Sequence, residues 1–115
     1  MKYSVSERAG IVILALAGKI MGGPEATEIN DKINQLIDQE KLKIIIDLDG
    51  VDWMNSSGLG ILIGAVTLLK NNKGDLRLIN VSDRIKNLLK ITKLQTVFEV
   101  SQNFEEAATS LSGEN

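Results

Sequence analysis

The sequence predicts one α/β domain: a four- to five-stranded, mostly parallel sheet with about four helices chiefly on one face. Three features carry that expectation. Apolar runs rich in β-branched residues, such as Ile11-Val12-Ile13-Leu14 and Ile44-Ile45-Ile46, alternate along the chain with segments whose apolar residues recur every three or four positions. Strands that alternate with helices require crossover connections, and hence parallel pairing. The length, 115 residues, suits a single domain, and such a chain buries roughly 65% of its unfolded surface without needing staples. The domain is expected over residues 1–111, with a frayed tail over 112–115.

Residues 3–7 alternate weakly and suit a short edge strand, closed by a turn at Arg8-Ala9-Gly10. A hairpin with the next strand would make the sheet mixed. Residues 11–16 form a buried strand ending at Gly18. Met21-Gly22-Gly23-Pro24 breaks the chain and starts a helix, because a first-turn proline lacks only an N–H that would have no partner. That helix, over 24–40, places Ala26, Ile29, Ile33, Leu36 and Ile37 on one face, and Glu25 and Glu28 near its positive end.

Residues 43–48 read as a central strand buried on both faces, followed by a turn over 49–52 and a small polar loop from Trp53 to Gly58. A second helix covers 57–72 and ends at Gly74. Residues 76–81 form a further strand, and Ser82 caps a third helix that carries Ile85, Leu88 and Leu89. A last strand over 96–100 leads to a short helix bearing Phe104, Ala107, Ala108 and Leu111.

Composition removes whole classes of chemistry. There is no histidine and no cysteine, so the commonest general base, thiol nucleophiles, disulfides and most transition-metal sites are absent. Thirteen basic residues against 15 acidic ones give a net charge of -2, which offers no excess to hold a phosphate backbone, and four aromatic side chains make no stacking platform. Direct nucleic-acid binding is therefore not expected. The N-terminus lacks the order of a signal peptide, and the apolar stretches 11–17 and 59–69 are too short to span a bilayer. A soluble, cytoplasmic protein is expected.

The most informative stretch is Asp52-Trp53-Met54-Asn55-Ser56-Ser57-Gly58-Leu59-Gly60. One of its serines can cap the helix by accepting a free N–H, and one can be a regulatory phosphate acceptor at a helix N-terminus that suits an anion. These readings are compatible for different serines. Leu59, Leu62, Ile63, Val66 and Leu69 make the sheet-facing side of the helix, while Ile61, Ala65 and Leu68 form a second stripe. A neighbouring helix covers that stripe, or a partner does; Ile61 and Leu68 are the candidate partner contacts. Gly60 and Gly64, four apart, suggest close helix packing rather than a phosphate-binding loop. Asp47, Asp49 and Asp52 could be read as a magnesium site but better suit turn positions.

Taken with the order of elements around it, Asn55-Ser56-Ser57-Gly58-Leu59-Gly60 resembles the acceptor segment of the STAS domain family, specifically the bacterial anti-sigma-factor antagonists. The resemblance covers nearly the whole chain, including Ile44-Ile45-Ile46-Asp47-Leu48, Gly74-Asp75-Leu76-Arg77-Leu78 and Ile91-Thr92-Lys93-Leu94. It implies a STAS-like fold and a non-enzymatic regulator without cofactor or metal. In that family the unphosphorylated antagonist binds an anti-sigma factor, itself a serine kinase of the histidine-kinase-like ATPase type, and frees the sigma factor. Phosphorylation by the kinase releases the antagonist, and a serine phosphatase resets it.

The family's acceptor maps onto Ser56, with Ser57 as runner-up acceptor and the more natural helix cap. Met21, Gly22, Asn55, Ser57 and Gly58 map to the partner side, together with Ile61 and Leu68. Two positions depart from the family's pattern: Asn55 stands where Asp is usual, and Gly18-Lys19-Ile20-Met21 lacks the acidic residue often found after that glycine. The alternatives are a STAS scaffold whose serines are structural, a partner-switching subunit that regulates something other than a sigma factor, and a small-ligand domain or enzyme on the same fold.

Overall fold

A computed structural model describes residues 1–113 of the chain. Five strands and four helices follow in the order β1 (Lys2–Arg8), β2 (Ile11–Ile20), α1 (Pro24–Asp38), β3 (Lys43–Met54), α2 (Ser56–Asn71), β4 (Asp75–Ile79), α3 (Asp83–Ile91), β5 (Glu99–Val100) and α4 (Phe104–Leu111). The sheet order is β1-β2-β3-β4-β5. The β1–β2 pair is antiparallel and the other three pairs are parallel, so the sheet is mixed. Ala9 and Gly10 form the two-residue hairpin turn with φ of 54° and 78°, the left-handed pair that matches the twist of the flanking strands.

Alternation along β3 divides the core. Ile44, Ile46 and Leu48 face α1, α2 and α3 and pack with Val12, Leu14, Leu16, Leu76 and Leu78. Ile45 faces the other way, into a smaller cluster with Ile11, Ile79, Ala107 and Leu111, which docks α4. Three helices thus lie on one face and one on the other. Arg77, also on the α4 side, is buried; it pairs with Asp75 at 2.8 Å and Glu99 at 2.9 Å, and its Nε donates to Ser110 Oγ at 2.8 Å.

Several boundaries differ from the sequence reading. Gly18 does not end β2, and residues 49–52 are not a turn: both strands run on together, pairing Gly18 with Val51 and Ile20 with Met54. Val51 and Met54 still bury apolar side chains there, which sustains the strand past its polar residues. Register shifts between Ala15 and Ala17 and between Gly18 and Lys19 absorb the mismatch. Gly50 is small because a Cβ there would lie 3.1 Å from the Leu16 carbonyl oxygen. The last strand shrinks to Glu99–Val100, since residues 94–97 close a turn in which Val97 N–H donates to the Leu94 carbonyl. α1 stops at Asp38 rather than 40, where Glu40 takes a left-handed φ of 60°. α4 ends at Leu111; of the tail expected over 112–115, positions 114 and 115 lie outside the described residues.

Candidate functional site

The carboxyl ends of β2 and β3 lie together, and α2 begins directly after β3 at that end of the sheet. β3 ends at Met54, and Asn55, with extended φ and ψ of -99° and 179°, caps α2. Its Oδ1 accepts from Gly58 N–H at 2.7 Å, and its carbonyl accepts from Leu59 N–H at 2.9 Å. Its own N–H donates to the Ile20 carbonyl at 3.3 Å, tying the start of α2 to the end of β2.

The cap is therefore the asparagine, and neither serine caps: Ser56 and Ser57 are the first two residues of the helix, both exposed. The expectation that Ser57 caps fails because Asn55 occupies the preceding extended position, from which a side-chain oxygen can reach back to the third helical N–H.

Gly58 is where α2 meets β2. A Cβ there would lie 2.1 Å from the Ile20 carbonyl oxygen and 2.8 Å from its carbon, so only glycine lets the helix seat this close. Gly22, at φ 89°, passes over Ser57: a Cβ on it would fall 3.0 Å from Ser57 Cβ. Glu25, in the first turn of α1, holds this loop. Its carboxylate accepts from Met21 N–H at 3.1 Å and pairs with the Met1 ammonium at 2.8 Å. The ammonium's hydrogen bond and then that N–H hold the Glu25 carboxyl below its usual range. Met21, Gly22, Asn55, Ser56, Ser57 and Gly58 are thus brought together at one edge.

Ile61 and Leu68 are not part of that edge. Ile61 is buried at 5% exposure, Ala65 is buried with it, and Leu68 is half-buried against the main core about three turns beyond Ser56. The second stripe of α2 is largely covered by the fold, not presented. Gly60 and Gly64 do not mediate close helix packing either, since a Cβ on either would meet nothing within 4 Å. They line, with Ala26, Thr27, Asn30, Ile61 and Ala65, a groove of about 250 Å³ between α1 and α2.

Two features of this edge escaped sequence reasoning. Trp53, read there as loop, sits in β3 opposite Lys19 and is 37% exposed. With Lys19, Met21, Asp52 and Arg84 it lines a cavity of about 440 Å³. The apolar residues Val51, Trp53 and Met54 were the available signal, but Asp49 and Gly50 masked it as a turn. The three aspartates do not converge on a cation. Asp47 Oδ1 accepts from Asp49 N–H at 3.0 Å and Asn80 Nδ2 at 2.9 Å, while Asp49 and Asp52 are exposed. Among the described residues no helix is long and apolar enough to cross a membrane.

Comparison with known proteins extends this geometry. The anti-sigma-B factor antagonist of Staphylococcus aureus is 37% identical over 62 residues, which span 54% of this chain and 57% of that protein. The anti-sigma factor antagonist SpoIIAA in its unphosphorylated form shares the fold, with a TM-score of 0.71 and 22% identity over 95% of this chain and 96% of that one. The Bacillus cell fate determinant SpoIIAA in its phosphorylated form matches with the same TM-score, 0.71, and 22% identity over 95% and 97% of the two chains. The sequence profile of the STAS domain matches residues 2–107, nearly the whole of the α/β unit described above, and the chain belongs to the STAS domain family.

Proposed function

We propose that this protein is an anti-sigma factor antagonist that works by binding rather than catalysis, and that phosphorylation of Ser56 switches it off. The observation that carries the reading is the division of labour at the start of α2. Asn55 performs the capping, which leaves the exposed Ser56 hydroxyl without a structural task at a helix N-terminus. The similarity to antagonists, one of which is known in both phosphorylation states, supports it.

In this reading the unphosphorylated edge formed by Met21, Gly22, Asn55, Ser57 and Gly58 binds a cytoplasmic anti-sigma factor of the histidine-kinase-like ATPase type and frees the sigma factor. The kinase then transfers the γ-phosphoryl group of ATP. Ser56 Oγ bonds to phosphorus, the bond to ADP breaks, and the hydroxyl proton passes to a base on the kinase. A serine phosphatase returns the hydroxyl by hydrolysis. The phosphate brings about -1.5 to -2 charges. The positive end of α2 favours them by roughly 0.3–1 kcal/mol, so the free domain stays folded. The cost falls on the complex, where that charge must lose water against a surface shaped for a hydroxyl.

Ser56→Ala is expected to bind the kinase constitutively and accept no phosphate, whereas Ser56→Asp binds at least tenfold more weakly, about 1.4 kcal/mol, while melting near wild type. Calorimetric titration and intact-mass analysis read both. Phosphate incorporation into Ser56→Ala at the wild-type rate would move the acceptor to Ser57, and equal kinase affinity of the phosphorylated and unphosphorylated protein would sink the switch.

A further inference from the structure

We propose that Trp53 and Met21 form the anchor on which the partner docks, and that the docking segment is an apolar side chain flanked by carboxylates that pair with Lys19 and Arg84. The partner's identity rests on the antagonist reading; the chemistry of the contact rests on the following placement. β4 pairs with β3 only as far as Asp47, opposite Ile79, but β2 accompanies β3 to Met54. The two strands therefore project beyond β4 as a ribbon. Val51 and Met54, three positions apart, both turn into the main core there, so the alternation of β3 breaks beside the register shift at Gly18 and Lys19 and leaves Asp52 and Trp53 exposed together next to Lys19. Arg84, exposed in the first turn of α3, closes the cavity from the direction of β4.

The fold has no evident use for an indole at this place. Val51 and Met54 already fill the core below the ribbon, and Trp53 and Met21 remain 37% and 53% exposed. Tryptophan, methionine and arginine are the side chains enriched in the centres of protein interfaces, and tryptophan and arginine dominate their energetics. The cavity, about 440 Å³, admits a few side chains. Its lining carries two cations, Lys19 and Arg84, against one carboxylate, Asp52, in a chain whose net charge is -2. The local excess is thus opposite in sign to the whole molecule and selects an acidic segment over a basic one.

The test uses the anti-sigma factor kinase of the chain's own host, purified, and the full chain labelled with fluorotryptophan. Trp53 is the one tryptophan, so fluorine NMR gives a single reporter. Binding is expected to shift that resonance. Trp53→Ala should weaken the complex at least about tenfold. Arg84→Glu, on an exposed helix start, should weaken it several-fold, with the loss shrinking as salt rises. Both variants should keep a cooperative melt, and Arg84→Glu keeps the proposal testable if Trp53→Ala does not fold.

An unmoved resonance in a saturated complex, or wild-type affinity in both variants, overturns the anchor. Loss at Trp53→Ala with none at Arg84→Glu overturns the acidic segment. Weakening at Trp53→Ala combined with wild-type affinity of Ser56→Asp supports the anchor and refutes the phosphate switch, and the reverse pattern does the opposite. No complex with the wild-type chain refutes both.

Discussion

Three glycines of α2 provide an internally controlled test of how the site is seated. At Gly58 an added Cβ would fall 2.1 Å from the Ile20 carbonyl oxygen, so that backbone must retreat by more than about 1 Å to reach an ordinary contact. Overpacking of this kind costs about 1–3 kcal/mol, and the retreat also strains the Asn55 N–H bond to the same carbonyl, about 1 kcal/mol more. Alanine in a helix interior returns about 1 kcal/mol. The balance for Gly58→Ala is a loss of about 1–3 kcal/mol, or a fall in Tm of roughly 4–12 °C for a domain this size.

Gly60 and Gly64 lie on the same helix, and a Cβ on either meets nothing within 4 Å. Gly60→Ala and Gly64→Ala should therefore each stabilise by about 0.5–1 kcal/mol. Urea and thermal unfolding followed by far-UV circular dichroism measure all three variants. If Gly58→Ala melts at or above wild type, or Gly60→Ala loses as much as Gly58→Ala, the helix is not seated on β2 as described.

Two further outcomes follow from named contacts. Removing the cap with Asn55→Ala should cost about 0.5–2 kcal/mol, while Asn55→Asp retains most of the stability because a carboxylate accepts from Gly58 N–H equally well; indistinguishable unfolding midpoints for Asn55→Ala and wild type would count against the cap. Partial burial pushes the Asp75 carboxyl upward, but the Arg77 guanidinium and the Leu76 N–H together outweigh it and hold that carboxyl below its usual range. A lowered folded-state value gives stability that is complete above the ordinary carboxylate range, near about pH 4, and is lost as pH falls through the lower value. Asp75→Asn should therefore lose less stability than wild type on acidification below about pH 4, and parallel profiles from pH-dependent denaturation would show that the pair contributes nothing.

The α/β class, the element order and the start of a helix at the hydroxyl pair were all legible in the sequence. Each rests on local signals. Ile44-Ile45-Ile46 forms a strand buried on both sides, Pro24 opens a helix, and Ser82 caps α3, its hydroxyl accepting from Ile85 N–H at 3.2 Å. The hydroxyl pair was expected at a helix start, and it occupies the first two positions of α2.

Relations between segments far apart in sequence emerge only once the fold is assembled. Asn55, not a serine, caps α2, because the choice among adjacent polar residues depends on which of them takes extended dihedrals as β3 ends. Ile61 is core and Leu68 nearly so, because α1 lies beside α2, a fact absent from the periodicity of α2 alone. Gly58 rather than Gly60 or Gly64 marks close approach, because the obstructing atom belongs to Ile20, 38 positions earlier by the numbering. Trp53 joins Lys19 and Arg84 across three elements, and no local pattern carries that meeting. Short-range chemistry is written in neighbouring residues, whereas the faces that elements present to one another arise only when the sheet assembles and excludes water.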